Sequence, residues 1–150
     1  MRMATEMTKR DLEISRQLLD TIPHMMRSVR LVLREAKNST LTVPQFRVLA
    51  YVSLQPCTSK QLADWQGVSL PAMSRMVDYL VRRQLLTRTP DTKDRRQIQL
   101  RASFKGKKEF ETLHKAVQGK LAERITALRE SEKKSLEAGL GVLGALFNEA

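Results

Sequence analysis

Cysteine is almost absent. Cys57 is the only one in 150 residues, so no intrachain disulfide can form. Histidine is nearly as scarce: His24 and His114, with one cysteine, do not make a structural zinc site, and no metal or cofactor is expected. No apolar run reaches membrane-spanning length, and the N-terminus lacks the apolar core of a signal peptide. A cytoplasmic protein without a membrane partner is the expectation. Catalytic groupings are missing as well. There is no Ser-His-Asp or Cys-His arrangement with supporting context, no phosphate-cradling loop and no carboxylate cluster in an apolar surround, so an enzyme is not expected. Gly139, Gly141 and Gly144 match the spacing of a dinucleotide-binding loop. That loop needs a preceding strand and an acidic residue some twenty positions on, and Ala150 comes too soon. Close helix contact is the simpler use of these glycines.

Acidic residues are outnumbered. Asp and Glu total 16 against 27 Lys and Arg, a formal net charge of +11. A globular chain this basic meets nucleic acid or an acidic membrane surface, unless the excess is merely a solvated face. The distribution argues against the bland reading. From Arg82 to Lys108 the run of Arg and Lys is opposed only by Asp91 and Asp94.

What is present centres on Val68–Ser103. Ser69 is placed to cap a helix, with Pro71 early in its first turn, where a missing N–H costs little. Met73, Met76, Val77, Leu80 and Val81 recur at helical spacing, and Ser74, Arg75, Asp78 and Arg82 fall on the other side. The helix runs out near Gln84. Leu86–Thr89 forms a short strand, Pro90–Asp94 a turn, and Ile98, Leu100 and Ala102 alternate with polar residues as in a second strand. A helix followed by a two-stranded ribbon with a basic tip is the layout of a winged helix-turn-helix. The helix would enter a major groove and the ribbon an adjacent minor groove.

Upstream, Thr42 and Gln45 have the spacing of a capping box before a helix that buries Phe46, Val48, Leu49 and Val52. Thr58 or Ser59 caps a short helix with Leu62, Ala63 and Trp65, the last expected in the core. Gly67 supplies the turn into the next helix. The methionines Met25, Met26, Met73 and Met76 are expected in apolar packing.

At these residues the chain resembles the MarR family of bacterial transcriptional regulators. LTVPQFRVLAYV (Leu41–Val52) is similar to the helix that opens the family's DNA-binding domain. QLADWQGVSLPAMSRMVDYLVRRQLL is similar to its helix-turn-helix, and RTPDTKDRRQIQLRASFKG to its wing and the return into a long helix. The family's Asp-x-Arg falls on Asp94 and Arg96. Its Leu-Thr-x-x-Gly appears as Ala102-Ser103-Phe104-Lys105-Gly106, and Gln84 stands where glycine is usual. The resemblance runs from about Leu12 to Phe147.

The two ends carry more apolar surface than a small winged domain can cover. Asp11 to about Lys37 is patterned as a long helix interrupted by Pro23, and Phe110, Leu113, Val117, Leu121, Ile125 and Leu128 form one seam after Ser103. A last helix starts at Ser131. The fold expected is mainly α with a small β-wing, one MarR-type domain over residues 1–150. Its winged helix-turn-helix spans about 41–103, flanked by dimerisation helices at about 11–37 and 104–147.

The resemblance implies a sequence-specific regulator, a ligand-responsive repressor that binds a palindromic operator in double-stranded DNA as a homodimer. Ser69, Pro71, Ser74 and Arg75 are expected nearest the DNA, with Arg75 at a base edge and the serines on phosphate. Arg96 is expected in the minor groove, Arg88 and Arg95 on the backbone, and Asp94 as the residue that orients the wing rather than touching DNA. The family's ligands imply a small aromatic or phenolic acid bound near Pro23 and His24, although His24 and His114 are more simply packing residues. Some MarR-type proteins sense oxidants through a first-helix cysteine; Cys57 lies elsewhere and is expected to be inert. The rival functions are a non-specific architectural DNA-binding protein and a winged-helix module for an acidic protein partner.

Overall fold

The computed structural model describes residues 7–36, 41–92, 94 and 96–147. Six helices and one hairpin appear among them: α1 (Lys9–Glu35), α2 (Val43–Leu54), α3 (Ser59–Gln66), α4 (Leu70–Arg82), β1 (Leu86–Pro90), β2 (Ile98–Ala102), α5 (Phe104–Ile125) and α6 (Glu130–Phe147). The chain divides into two compact units, Met1–Leu113 and His114–Ala150, with the boundary inside α5.

Helix starts follow local hydrogen-bond chemistry. At α1 the Asp11 N–H donates to Thr8 Oγ1 at 3.2 Å, and the Thr8 N–H donates to Asp11 Oδ2 at 2.7 Å. This box starts α1 two residues before the expected Asp11. The helix continues through Pro23, which has no N–H to offer the preceding turn. At α2 the expected box is present, with the Thr42 N–H donating to Gln45 Oε1 at 2.9 Å. Of the two candidates at α3, Thr58 is the cap, and the Thr58 N–H donates to Gln61 Oε1 at 2.8 Å. Gly67 closes α3 at φ 68°, a left-handed conformation that glycine adopts without a Cβ penalty.

The core lies in the first unit. Val48 and Leu49 of α2, Leu62 of α3, Met73, Val77 and Leu80 of α4, and Leu100 of β2 are each 0% exposed. Phe46 stacks at a tilt on Phe110 of α5, centroids 5.5 Å apart. Trp65 departs from expectation. It is 42% exposed and sits at the rim of the core, 4.7 Å from the Tyr51 ring with the Arg47 guanidinium 5.0 Å above it. Leu62 and Ala63 already fill the buried face of this two-turn helix, which leaves the indole to cover its edge.

The two strands pair antiparallel from Leu86↔Ala102 to Pro90↔Ile98, so β1 extends one residue past the expected Thr89. Cys57 adds a single bridge to Leu100 on the far side of β2. The base of this wing is closely packed. Gln84 takes φ 61°, the left-handed conformation for which glycine is preferred. The Leu85 carbonyl then accepts the Ser103 N–H at 3.0 Å. Ser103 Oγ donates to the Gln84 carbonyl at 2.6 Å and accepts the Gly106 N–H at 2.9 Å, which caps α5. A Cβ on Gly106 would lie 2.0 Å from the Leu85 oxygen.

In the second unit, α6 has no buried residue, and Leu140, Val142, Leu146 and Phe147 are 56%, 61%, 63% and 73% exposed. In the first, α1 exposes Leu12, Leu19, Ile22 and Met25 and buries only Leu33.

Gly106→Ala should destabilise the protein by about 2 kcal/mol or more, the scale of overpacking against unyielding backbone. Gln84→Gly should stabilise it by about 0.5–1 kcal/mol, the left-handed strain relieved less the added freedom of the unfolded chain. Chemical denaturation of both variants checks the pair. The account fails if Gly106→Ala is neutral.

Candidate nucleic-acid interface

α4 presents two unlike faces. Met73, Val77 and Leu80 point into the core, and the spacing of an α-helix puts Ser74, Arg75, Asp78 and Arg82 on the other side. Ser69 and Pro71 stand exposed at its N-terminus, where the Ser69 Oγ accepts the Ala72 N–H at 3.4 Å. Leu70, between them, is 48% exposed, an apolar contribution to this tip that the sequence reading did not assign. Arg75 is exposed, and among the described residues no carboxylate pairs with it. A helix end that offers hydroxyls, a ring and a free guanidinium on one side can touch phosphate and base edges together.

The wing tip is held by its own acidic residues. The Asp91 N–H donates to the Gln97 carbonyl at 2.9 Å, and the Gln97 N–H returns to the Asp94 carbonyl at 2.9 Å. Asp94 Oδ1 accepts the Arg96 backbone N–H at 3.0 Å, and Asp91 Oδ1 accepts the Asp94 N–H at 3.1 Å. Asp91 Oδ2 also accepts Gln99 Nε2 at 2.8 Å, which fastens the turn to β2. Asp94 therefore orders the backbone under Arg96, and the Arg96 side chain is exposed. Lys93 and Arg95 lie outside the described residues.

Arg88 occupies a different position from the other candidates. Its guanidinium is paired with the Asp78 carboxylate of α4, so β1 is tied directly to the helix beside it. The two residues are ten apart and on different elements, and nothing in the sequence pattern joins them. Lys105 Nζ donates to the Arg83 carbonyl at 3.0 Å and so serves the base of the wing. Arg83 lies between the Tyr79 hydroxyl, 2.9 Å away, and Glu109.

The remaining candidates are placed as follows. Cys57 is 2% exposed, and burial pushes its thiol up to about 11 from an ordinary 9.0, which suppresses thiolate chemistry. His24 and His114 are both exposed on their helices. A cavity of about 500 Å³ opens between the end of α1 and the start of α2, lined by Arg30, Arg34, Leu33, Leu41, Thr42, Val43 and Pro44. It lies further along α1 than the expected Pro23 and His24. Among the described residues no group of three or more His, Cys, Asp or Glu is placed to hold a metal ion, and no helix is long and apolar enough to cross a membrane.

The family model described as MarR family matches residues 39–97, which contain α2 to α4, β1 and the wing turn. No curated protein matches the chain. Solved structures do. RV1404 from Mycobacterium tuberculosis is similar at 23% identity and a TM-score of 0.84, covering 97% of this chain and 98% of its own. A MarR family protein from Bacillus stearothermophilus is similar at 22% identity and a TM-score of 0.81, covering 96% and 100%. A mutant MarR from E. coli complexed with operator DNA is similar at 23% identity and a TM-score of 0.68, covering 93% and 99%. The chain has their fold.

Proposed function

We propose that this chain is a winged helix-turn-helix transcriptional regulator of the MarR family, whose family model matches residues 39–97, and that it is a ligand-responsive repressor binding a palindromic operator as a homodimer. The observation that carries the reading is the pairing of two exposed cationic points in one unit. Arg75 projects from the polar face of α4, and Arg96 from a wing turn that Asp94 holds in shape. The operator complex of the similar E. coli MarR supports duplex DNA as the partner.

In this reading Arg75 takes a guanine edge in the major groove, where its fork can meet both acceptors. Ser69, Pro71 and Ser74 lie along the same groove wall, the serines on phosphate. Arg96 enters the minor groove, where a narrow groove concentrates negative potential. Arg95, beside it in sequence, meets the backbone. A non-specific architectural protein would share the charge but has no use for a capped helix tip with one free guanidinium.

Dimerisation is supported by the apolar side chains that α1 and α6 leave in solvent, on a scale that isolated soluble chains avoid. A two-fold dimer gives two α4 helices, and grooves on one DNA face recur about every 34 Å, hence the palindrome. The effector is a small aromatic or phenolic acid. The cavity supports that class, since Arg30 and Arg34 line it together with Leu33, Leu41, Val43 and Pro44. Such a ligand acts only by preferring a dimer whose helix spacing does not fit the operator.

Three outcomes test this. Arg75→Ala should cost about 1–3 kcal/mol and relax preference at one base position, while Arg96→Ala should weaken binding with a milder change of preference. Equal weakening on every duplex would remove Arg75 from the base edge. Truncation before Ser131 should weaken the dimer or aggregate the protein in sedimentation, and a full-length monomer at micromolar concentration would refute the assembly. A phenolic acid titrated by calorimetry should bind the free dimer more tightly than the operator complex. Equal affinity in both would exclude release by ligand.

A further inference from the structure

The Asp78–Arg88 pair is, among the described residues, the one ion pair that joins the recognition helix α4 to the wing. Asp78 follows Ser74 by four positions and Arg75 by three, so it lies on the same side of α4 as the residues that face DNA in the reading above. A carboxylate there repels phosphate unless it is neutralised. Arg88 neutralises it. In the ladder Arg88 stands opposite Leu100, which is 0% exposed, so the strand that carries the guanidinium is anchored in the core. From Arg88, β1 has two more residues before the turn that presents Arg96.

We propose that Asp78 and Arg88 are positioning residues that set the angle between the recognition helix and the wing, and that Arg88 is not a phosphate ligand. The inference rests on the DNA-binding reading and alters one of its assignments: the expected place of Arg88 on the DNA backbone. With the pair intact, Arg75 and Arg96 of one protomer reach their grooves together. With it broken, the ribbon beyond Arg88 and Leu100 can swing relative to α4, and the two contacts no longer reinforce each other. The side chains are 42% and 49% exposed, so the pair adds little to folding stability and its effect falls on binding.

The two roles for Arg88 differ in sign at Asp78. As a phosphate ligand, Arg88 would be released by Asp78→Asn, a repulsive charge would be lost, and DNA would bind more tightly. As a positioning residue, Arg88 loses its anchor, and Asp78→Asn weakens binding. The experiment measures affinity for the wild type's selected duplex and for random duplex, over a range of salt. The proteins are Asp78→Asn, Arg88→Gln, the double neutral variant, and the reversal that combines Asp78→Arg with Arg88→Asp. All should fold, which circular dichroism checks.

Each single variant should lower the ratio of selected to random affinity by about fivefold for a dimer, the scale of two exposed pairs. The double neutral variant should be no worse than either single, and its salt slope should equal that of the wild type. The reversal should regain most of the ratio, which a merely structural role for either residue alone would not produce. Tighter binding by Asp78→Asn overturns the inference. So does a double neutral variant whose slope is shallower by about 2, one lost phosphate per protomer. A wild type that selects no duplex overturns the DNA reading and this inference with it.

Discussion

The winged helix-turn-helix unit depends on how closely α5 approaches the Leu85 carbonyl. That oxygen accepts the Ser103 N–H, and only the missing Cβ of Gly106 lets the first turn of α5 pass beside it. Three elements meet there. α4 exits through the left-handed Gln84, β1 departs at Leu86, and β2 returns at Ala102 to the Ser103 cap. Because the contact is between backbone atoms, no side-chain rotation can absorb a displacement. The wing therefore leaves the core at a fixed point, with Leu85, Leu86 and Leu100 buried around it.

A fixed base does not by itself fix the tip. A five-residue strand spans roughly 17 Å at about 3.4 Å per residue, and a small rotation at its base grows along that length. The structure places two devices along it. Asp78 and Arg88 fasten the middle of the ribbon to α4, and Asp91 and Asp94 shape the turn. The acidic residues in this basic segment are thus spent on geometry. Asp78, Asp91 and Asp94 each hold a backbone or an arginine, and among the described residues Arg75 and Arg96 are left without a carboxylate partner.

Much of this was legible in the sequence because it is local. A capping box needs two residues three apart, so Thr42 with Gln45 and the Ser69 and Ser103 caps are written in short strings. The core face of α4 follows from the helical period, and the strands from alternation. The box at Thr8 and Asp11 had the same kind of signal; the apolar pattern drew the helix start to Asp11 instead. What was not legible joins distant residues. The Asp78–Arg88 pair spans two elements, and the close pass of Gly106 over Leu85 depends on a turn at Gln84 that the residue type argues against. Trp65 misled because an aromatic on a short amphipathic helix looks like core, although two smaller residues had already filled it. The cavity by Arg30 and Arg34 was not legible for a similar reason: it forms where two helices meet, whereas Pro23 marks only a local irregularity.

The central claim is that one basic unit, used twice in a symmetric dimer, reads a defined DNA sequence. Selection of bound duplexes from a random pool by the full-length protein tests it most directly. The account predicts enrichment of an inverted repeat whose half-sites are centred about 10 base pairs apart, matching two recognition helices on one face of the duplex. Recovery of unenriched sequence, or of a site without two-fold symmetry, would contradict it.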